Sequence, residues 1–316
     1  MDVMMGTIVG MARTSTIDDG GIRDAVFRAL DLVGFETFGP VETVAIKVNL
    51  RFYWDYSTGE TTDPRVVASV IDYVRERWNA NARIAVVEAD ASAMRTRYAF
   101  PLLHYDRLAS EKGVELVNLS AGETCELEVT VGKRKFTFPL PKMLFDTDLF
   151  INCPKLKVGP FASGNALHIT CCLKNLFGCI AKPRKVGWHP QINEVIVGLN
   201  KLIRPHLNVV DGIVALGQRP VRLGLVMAGR DPVAVDSVAA RIMRYRPSSV
   251  RQIRLAEKEG VGSTRNISIV GEDVKAISKL FPSRSPLAFK LAWTGQLRML
   301  RLYAKLSGDA VPPLLD

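Results

Sequence analysis

Three successive segments, VAIKVNL (residues 44–50), PRVVASVIDYVRERW (64–78) and IAVVE (84–88), decide the fold of this chain. The first and third are apolar, rich in β-branched residues and of strand length, which is typical of buried β-strands. The middle segment has Asp63 as a helix N-cap and Pro64 at the first helical position. Two continuous apolar strands joined by a helix predict parallel strands in a sheet that is covered on both faces.

The alternation of strand and helix continues on both sides of this unit. Further strands are predicted at residues 7–11, 114–119, 149–153, 207–210 and 267–270, and further helices at 21–32, 105–112, 166–176, 192–203, 233–243 and 248–258. Residues 125–131 and 135–138 flank a Gly132-Lys133 turn and predict a β-hairpin whose second strand ends at Pro139. We therefore expect an α/β fold, with a mainly parallel sheet, helices on both faces and a hairpin excursion at about 122–141, in one domain over residues 1–281.

A break at residues 282–286 separates this domain from a C-terminal helical tail over residues 282–316. Residues 287–306 of the tail predict an amphipathic helix. Its cations lie on one side and bulky apolar residues occupy much of the other: Lys290, Arg298, Arg301 and Lys305 against Phe289, Trp293, Met299, Leu300, Leu302 and Tyr303. Two interpretations stay open: the helix docks on the domain or on a second copy of the chain, or it lies in a membrane interface.

The composition indicates an ordinary globular protein with a basic surface. Of the 316 residues, 47% are apolar and 23% are charged, and the formal net charge is +10. This balance favours anionic partners, which include acidic metabolites, nucleic acid and membrane surfaces. The basic residues are scattered and do not alternate with aromatic residues, so nucleic acid is an unfavoured partner.

The cysteine count and the N-terminal segment bear on the compartment. The five cysteines are an odd number, and the first ten residues, MDVMMGTIVG, have neither a basic start nor a long apolar run. These features favour a reducing, cytoplasmic location. The sequence also contains no stretch of about 18 uncharged apolar residues, so no transmembrane helix is predicted.

Polar residues follow four of the predicted strands at the edge where a parallel sheet binds its ligands. They are Lys47, Asn49 and Arg51 after the first, Glu88 and Asp90 after the second, Lys155 and Lys157 after the third, and Asp211 after the fourth. Lys47 directly follows an apolar run, so it either pairs with Glu88 or Asp90 or contacts an anionic ligand. Lys155 and Lys157 have the spacing of strand residues on one side, which suits a phosphate or carboxylate unless they form a solvated edge.

The segment 151–180 concentrates reactive side chains. A helix over 166–176 would place His168, Cys171 and Cys172 on one face, with Lys174 and Asn175 one turn on. Thiolates and imidazoles are ligands for zinc or iron, so a metal site is a weak alternative. Its donors would be Cys153, His168, Cys171, Cys172 and Cys179, although buried cysteines are more often simple core residues.

Two aspartates mark the helix predicted at 233–243. Asp231 precedes Pro232, which is typical of an N-cap. Asp236 lies inside the helix among alanines and valines, so its carboxylate requires a partner, for which Lys174 and Lys47 are possibilities.

Six segments resemble the domain-of-unknown-function 362 family: IKVNL (46–50), TTDPRVV (61–67), INCPKLK (151–157), LKNLFGCI (173–180), VVDGI (209–213) and RDPVAVDSVAARI (230–242). The resemblance implies that polar positions of these segments form one site together with His189: Lys47, Asn49, Asp63, Lys155, Lys157, Lys174, Asn175, Asp211, Asp231 and Asp236. Val48 departs from the family pattern, in which a proline usually follows the first lysine. Many members also carry ferredoxin-type cysteine clusters, which this sequence lacks.

The leading hypothesis is a protein that binds or converts an anionic small molecule in a lysine-rich pocket; the sequence indicates no particular cofactor. We expect Lys47, Lys174, His189 and Asp236 to act in catalysis, and Asn49, Lys155, Lys157, His168, Asn175 and Asp211 to bind the ligand. One alternative is a redox protein that uses the Cys and His ligands or a ferredoxin-like partner. Another is a protein that contacts a membrane surface through its C-terminal helix.

Overall fold

Ten strands pair into one large sheet in the part of the chain that the structure, a computed structural model, describes. The described residues are 7–37, 39–159 and 168–282, with Gly295, Arg298, Met299, Leu302 and Leu306 of the tail. The strands are β1 (Thr7–Arg13), β2 (Thr43–Lys47), β3 (Arg83–Glu88), β4 (Glu115–Asn118), β5 (Thr124–Val131), β6 (Arg134–Pro141), β7 (Leu149–Asn152), β8 (Lys155–Val158), β9 (Ile169–Thr170), β10 (Leu207–Leu216), β11 (Pro220–Gly229) and β12 (Ile267–Gly271).

Helices connect most of these strands. They are α1 (Asp19–Val33), α2 (Pro64–Arg77), α3 (Thr96–Leu102), α4 (Tyr105–Lys112), α5 (Cys172–Asn175), α6 (Ile192–Leu202), α7 (Pro232–Ile242), α8 (Arg251–Lys258) and α9 (Val274–Leu280). Asp63 caps α2 by accepting a hydrogen bond from the Arg65 amide, as the sequence predicts.

The strand order in the sheet is β12-β1-β11-β10-β7-β2-β3-β4, and β8 pairs with both β10 and β9. The pairings of β2 with β3 and β7, of β3 with β4, of β10 with β7 and β8, and of β1 with β12 are parallel. Strand β11, which was not predicted, runs antiparallel to β1 and β10. The prediction of a mainly parallel α/β sheet is confirmed.

Helices cover both faces of the sheet, and a separate core lies on each. Side chains of β2 alternate between them, because Val44 and Ile46 pack with one core and Ala45 with the other. The first core contains the apolar faces of α1 and α2, and the second contains those of α6 and α7. This arrangement explains why the central strands are apolar at consecutive positions.

The hairpin of β5 and β6 lies outside the large sheet, but its second strand continues past Pro139 to Pro141. The prediction that Pro139 ends the strand is therefore wrong. Pro139 is opposite Glu126, and its carbonyl accepts a hydrogen bond from the Ala181 amide outside the hairpin. The backbone of Pro139 thus faces away from β5, where a missing N–H costs no ladder bond.

Two other predicted boundaries are wrong. Strand β10 does not end before Asp211 but continues to Leu216, because β11 pairs with it along its length and the register shifts between Gly212 and Val214. The expected helix over 166–176 is replaced, in its described part, by β9 and then by the four-residue helix α5. Here β-branched residues pair with β8, and this pairing overrides the helical spacing.

The amphipathic tail helix falls largely outside the described residues. Gly295, Arg298, Met299, Leu302 and Leu306 are helical, and all five are exposed. Within the described residues, no helix combines the length and apolar character that are needed to cross a bilayer.

Candidate functional site

Lys47 forms a buried ion pair with Glu88 where β2 and β3 end side by side. The Lys47 Nζ lies 2.7 Å from Glu88 Oε1, and neither residue is more than 3% exposed. Lys47 also donates to the carbonyl of Val48, and Glu88 accepts hydrogen bonds from the amides of Leu50 and Ala89. The pairing with Glu88 is one of the two alternatives that the sequence left open for Lys47.

Lys155 forms a second buried ion pair, with Asp211 on the neighbouring strand. The Lys155 Nζ lies 2.7 Å from Asp211 Oδ2, and both side chains are fully buried. The Asp211 carboxylate also accepts hydrogen bonds from the backbone amides of Asp63 and Ile213. Burial raises the pKa of Asp211, and the Lys155 ammonium offsets part of that rise.

Lys157 has a less complete set of partners. Its Nζ donates to the Glu60 carbonyl at 2.6 Å and lies 3.2 Å from Glu60 Oε2, a carboxylate that is also 3.7 Å from Arg51 Nε. Lys157 and Arg51 therefore share the single carboxylate of Glu60. Burial lowers the pKa of Lys157 to about 8, and the nearby Arg51 and Lys155 lower it while Glu60 opposes them.

Lys174 has no carboxylate within ion-pair distance among the described residues. Its ammonium instead lies 4.6 Å from the centre of the Phe177 ring, and its side chain is partly exposed. Desolvation and the surrounding cations together lower the pKa of Lys174 to about 7; the cations are Arg51, Lys157, Lys185 and Lys47. Lys174 is thus the centre of a group of positive charges.

Lys185 joins this group from the segment before α6. It is 5% exposed, and its Nζ donates to the Gly178 carbonyl at 3.1 Å. No ion pair involves Lys185 in the described part of the chain, and burial lowers its pKa to about 8. Gly178 itself packs so closely that an added Cβ would lie 2.8 Å from the Lys47 Nζ.

A chain of buried amides fixes the backbone near Lys174. The Asn175 side chain donates to Asn152 at 2.8 Å, and Asn152 donates to Asn208 at 2.8 Å and to the Cys172 carbonyl at 3.1 Å. Asn200 donates to the Leu173 carbonyl at 2.9 Å. These bonds hold α5 against β7, β10 and α6. Sequence reasoning missed all of their members except Asn175, since single asparagines in buried strands and helices give no periodic signal.

Four buried oxygens in or near this network have no hydrogen-bond donor among the described residues: Asn49 Oδ1, Thr61 Oγ1, Asn175 Oδ1 and Asn200 Oδ1. Thr61 and Asn175 are 1% and 2% exposed. A buried acceptor without a donor is unfavourable unless a water or ligand supplies one. The site therefore combines positive charge with hydrogen-bond acceptor oxygens that lack a donor.

Asp236 and two cysteines form a separate, fully buried group. One ligand atom from each of Cys171, Cys172 and Asp236 lies within 4.8 Å of the other two, and the two sulfurs are 3.9 Å apart. The Asp236 carboxylate accepts hydrogen bonds from the amides of Cys172 at 2.7 Å and Leu173 at 3.2 Å, so it caps α5. Desolvation raises the pKa of Asp236 to about 7 and raises the pKa of both thiols.

The remaining residues expected in a metal site or in catalysis are dispersed. Within the described residues, neither His168, Cys153 nor Cys179 belongs to a group of close metal donors. The His168 ring packs edge-on against Tyr245. His189 is exposed and contacts Phe177, the same ring that Lys174 contacts, with 5.5 Å between ring centres. Asp231 caps α7, as the sequence predicts.

The structure brings together part of the predicted set. Lys47 and Lys157 are near enough to help lower the pKa of Lys174, whereas the Asp236 carboxylate accepts its hydrogen bonds from the Cys172 and Leu173 amides. Sequence reasoning did not assign site roles to Glu60 and Lys185; the basic run at 182–185 and the polar segment before Asp63 were the available signals. Chemically, the arrangement can neutralise an anion and donate or accept protons near neutral pH.

Comparison with known proteins places these residues in a wider context. A 138-residue segment is 33% identical to "Thylakoid-associated protein sll1697" of Synechocystis sp. (strain ATCC 27184 / PCC 6803 / Kazusa), over 40% of this chain and 41% of that relative. The match thus spans less than half the length of the relative.

Two solved structures are similar in parts of their fold. A Thermotoga maritima protein from a structural genomics consortium has a TM-score of 0.41 at 10% identity, covering 78% of this chain and 60% of that one. The lactate racemase apoprotein of Thermoanaerobacterium thermosaccharolyticum has a TM-score of 0.42 at 14% identity, covering 77% and 59%.

The family profile described as Domain of unknown function (DUF362) matches residues 44–241. This range contains the whole cationic group, from Lys47 to Lys185, as well as Asp211 and Asp236. The chain belongs to the DUF362 family.

Proposed function

We propose that this chain binds an anionic small molecule among Arg51, Lys157, Lys174 and Lys185. One observation carries the proposal: Lys174 and Lys185 have no carboxylate partner among the described residues, although Lys185 is buried and Lys174 is surrounded by other cations. An unpaired cation with little hydration is costly, and a bound carboxylate or phosphate would compensate that cost.

The neighbouring ion pairs support this assignment by contrast. Lys47 and Lys155 have their own carboxylates, Glu88 and Asp211, at 2.7 Å. The charges of Lys47 and Lys155 are therefore largely neutralised, and the two ion pairs hold neighbouring strands together. The excess positive charge lies at Lys174 and Lys185. Open acceptor oxygens on Asn49, Thr61 and Asn175 suit a ligand that also carries hydroxyl groups.

A thermal-shift and calorimetric titration tests the proposal. The probes are inorganic phosphate, citrate, lactate, pyruvate and 2-oxoglutarate, with sodium chloride at matched ionic strength. We expect at least one probe to raise the Tm of the wild type, and Lys174→Met to weaken that binding about tenfold or more, since a charge-assisted contact is lost. Lys133→Met, at the exposed tip of the hairpin, removes the same charge and should bind as the wild type does. Equal binding by the two variants, or no binding of any probe, would refute the proposal.

Contact with a membrane surface is a second proposal, supported by the tail. Met299, Leu302 and Leu306 are 73%, 58% and 79% exposed, and their spacing places them on one side of a helix. Arg298 is exposed beside them. A helix with apolar and basic sides can lie in the interface of an anionic bilayer, and the similar Synechocystis protein is named as thylakoid-associated.

Vesicle flotation tests this second proposal. We expect the full chain to float with vesicles that contain phosphatidylglycerol and to remain behind with pure phosphatidylcholine. The triple variant Met299→Gln, Leu302→Gln, Leu306→Gln should lose flotation without losing anion binding. Flotation that is the same for the wild type and the triple variant would refute a role for the tail.

A further inference from the structure

We infer that Lys174 is a nucleophile that forms a covalent imine with the carbonyl carbon of a small 2-oxo acid, whose carboxylate is held by the neighbouring cations. This inference rests on the proposed anion site and names its substrate class. It follows from the surroundings of Lys174 in comparison with those of the other lysines at the site.

Lys174 differs from the other lysines of the site because the described residues supply it with no counter-ion. Lys47, Lys155 and Lys157 each lie within 3.2 Å of a carboxylate oxygen. Among the described residues, the Lys174 ammonium contacts the face of the Phe177 ring and no carboxylate. The segment 160–167, next to it in sequence, contains no Asp or Glu that could supply a partner. An amine that is partly desolvated and surrounded by cations loses its proton easily, which is how lysine nucleophiles are activated.

The position of the Lys174 amine is fixed by hydrogen bonds to the helix that carries it. Helix α5 is held at its start by Asp236, which accepts the Cys172 and Leu173 amides, and along its length by Asn200 on the Leu173 carbonyl. The Asn175 side chain donates a hydrogen bond to the Asn152 side chain. The backbone on both sides of Lys174 is therefore anchored by buried hydrogen bonds, and the Phe177 ring further restricts the ammonium group.

The arrangement of the cations around the Lys174 amine suits a 2-oxo acid. Its carboxylate is bonded directly to the carbonyl carbon, so cations that bind the carboxylate place the carbonyl within reach of a neighbouring amine. Arg51, Lys157 and Lys185 are close enough to Lys174 to depress its pKa. They are the groups that would hold the carboxylate.

The chemistry balances without a further reactant. The neutral Lys174 Nζ attacks the carbonyl carbon, a C–N bond forms, and the C=O π electrons move to oxygen, which takes a proton to give a carbinolamine. The oxygen then leaves as water with a second proton, and the carbon–nitrogen double bond forms. Of the two protons that leave in water, one comes from the amine and one from an acid, so the product is the protonated imine. The exposed His189, whose ring packs against the Phe177 ring that Lys174 also contacts, supplies this acid.

Reductive trapping tests the inference. The full chain is incubated at pH 7.5 with pyruvate, glyoxylate or 2-oxoglutarate and sodium cyanoborohydride, and the adduct is located by peptide mass mapping. Hydride adds to the imine carbon and leaves a stable secondary amine. We expect at least one oxo acid to label Lys174 at least tenfold faster than any exposed lysine, and Lys174→Arg to abolish that label while Lys133→Arg keeps it.

The outcomes separate this inference from the proposed function. Lactate, which has the carboxylate without the carbonyl, should compete with labelling and form no adduct. If the oxo acids raise the Tm but label Lys174 no faster than surface lysines, the anion site stands and the nucleophile is refuted. A melting curve of Lys174→Arg that resembles that of the wild type shows that loss of the label is not loss of the fold.

Discussion

The Nζ of Lys155 lies 2.7 Å from Oδ2 of Asp211, with both side chains fully buried on neighbouring parallel strands. The two residues are 56 positions apart in sequence. Asp211 also accepts two backbone amides, so the pair joins β8, β10 and the start of α2. Removal of either partner leaves the other as a buried group without its counter-charge.

A double-mutant cycle tests this relationship. We expect Lys155→Met and Asp211→Asn each to lower the free energy of unfolding by about 3–5 kcal/mol, because each leaves a buried group without its partner. The double variant should cost less than the sum by about 1–3 kcal/mol. Urea unfolding followed by circular dichroism measures all four proteins. Additive losses would contradict direct coupling of the two residues.

Lys174→Met should stabilise the unliganded chain, in contrast to most substitutions at a buried site. The folded-state pKa of Lys174 is lowered to about 7 from 10.5, so the folded chain bears the cost of the charge fully below pH 7. That cost fades as the pH rises from 7 to 10.5, where the unfolded chain also loses the proton. Because the side chain is partly exposed, we expect a gain of about 1–2 kcal/mol at pH 6 that disappears by about pH 10. Unfolding at several pH values measures it, and Lys133→Met should show no comparable gain.

Asp236→Asn should change how stability depends on pH. The pKa of Asp236 is raised to about 7 from 3.8, so the folded chain keeps a proton that the unfolded chain loses. Between these two values the stability of the wild type therefore falls as the pH rises. We expect the wild type to lose on the order of 3 kcal/mol relative to the variant between pH 4 and 7.5. Asp18→Asn is the control, since Asp18 is an exposed carboxylate that also caps a helix. Parallel pH profiles for Asp236→Asn and the wild type would contradict the prediction.

Gly178→Ala should disturb the Lys47–Glu88 ion pair. A Cβ at this position would lie 2.8 Å from Lys47 Nζ and 2.9 Å from Glu88 Oε1, so the pair must move. We expect a loss of about 1–3 kcal/mol of unfolding free energy together with weaker anion binding. Gly187→Ala is the matched control, because an added Cβ there meets no atom within 4 Å. If both variants melt alike, the packing of Gly178 on the ion pair has no energetic role.

Much of the fold could be predicted from local pattern. The segments around Asp63-Pro64 and Asp231-Pro232 carry their own caps, and both helices form where expected. The failures occurred where tertiary pairing overrides local preference. Strand β11 lacks a regular pattern and forms by pairing with β1 and β10, and β9 forms by pairing with β8 instead of extending a helix.

For the site, the sequence identified the polar residues that follow the apolar runs, because apolar periodicity and caps indicate where most strands and helices lie. It did not determine which charges neutralise one another. The pairing of charges depends on the strand order, which places β2 beside β3 and β8 beside β10. Lys47 therefore pairs with Glu88, and Lys155 pairs with Asp211. Only the tertiary structure decided that Lys174 has no carboxylate partner among the described residues, since ion pairs act over a few ångströms between residues that are distant in sequence.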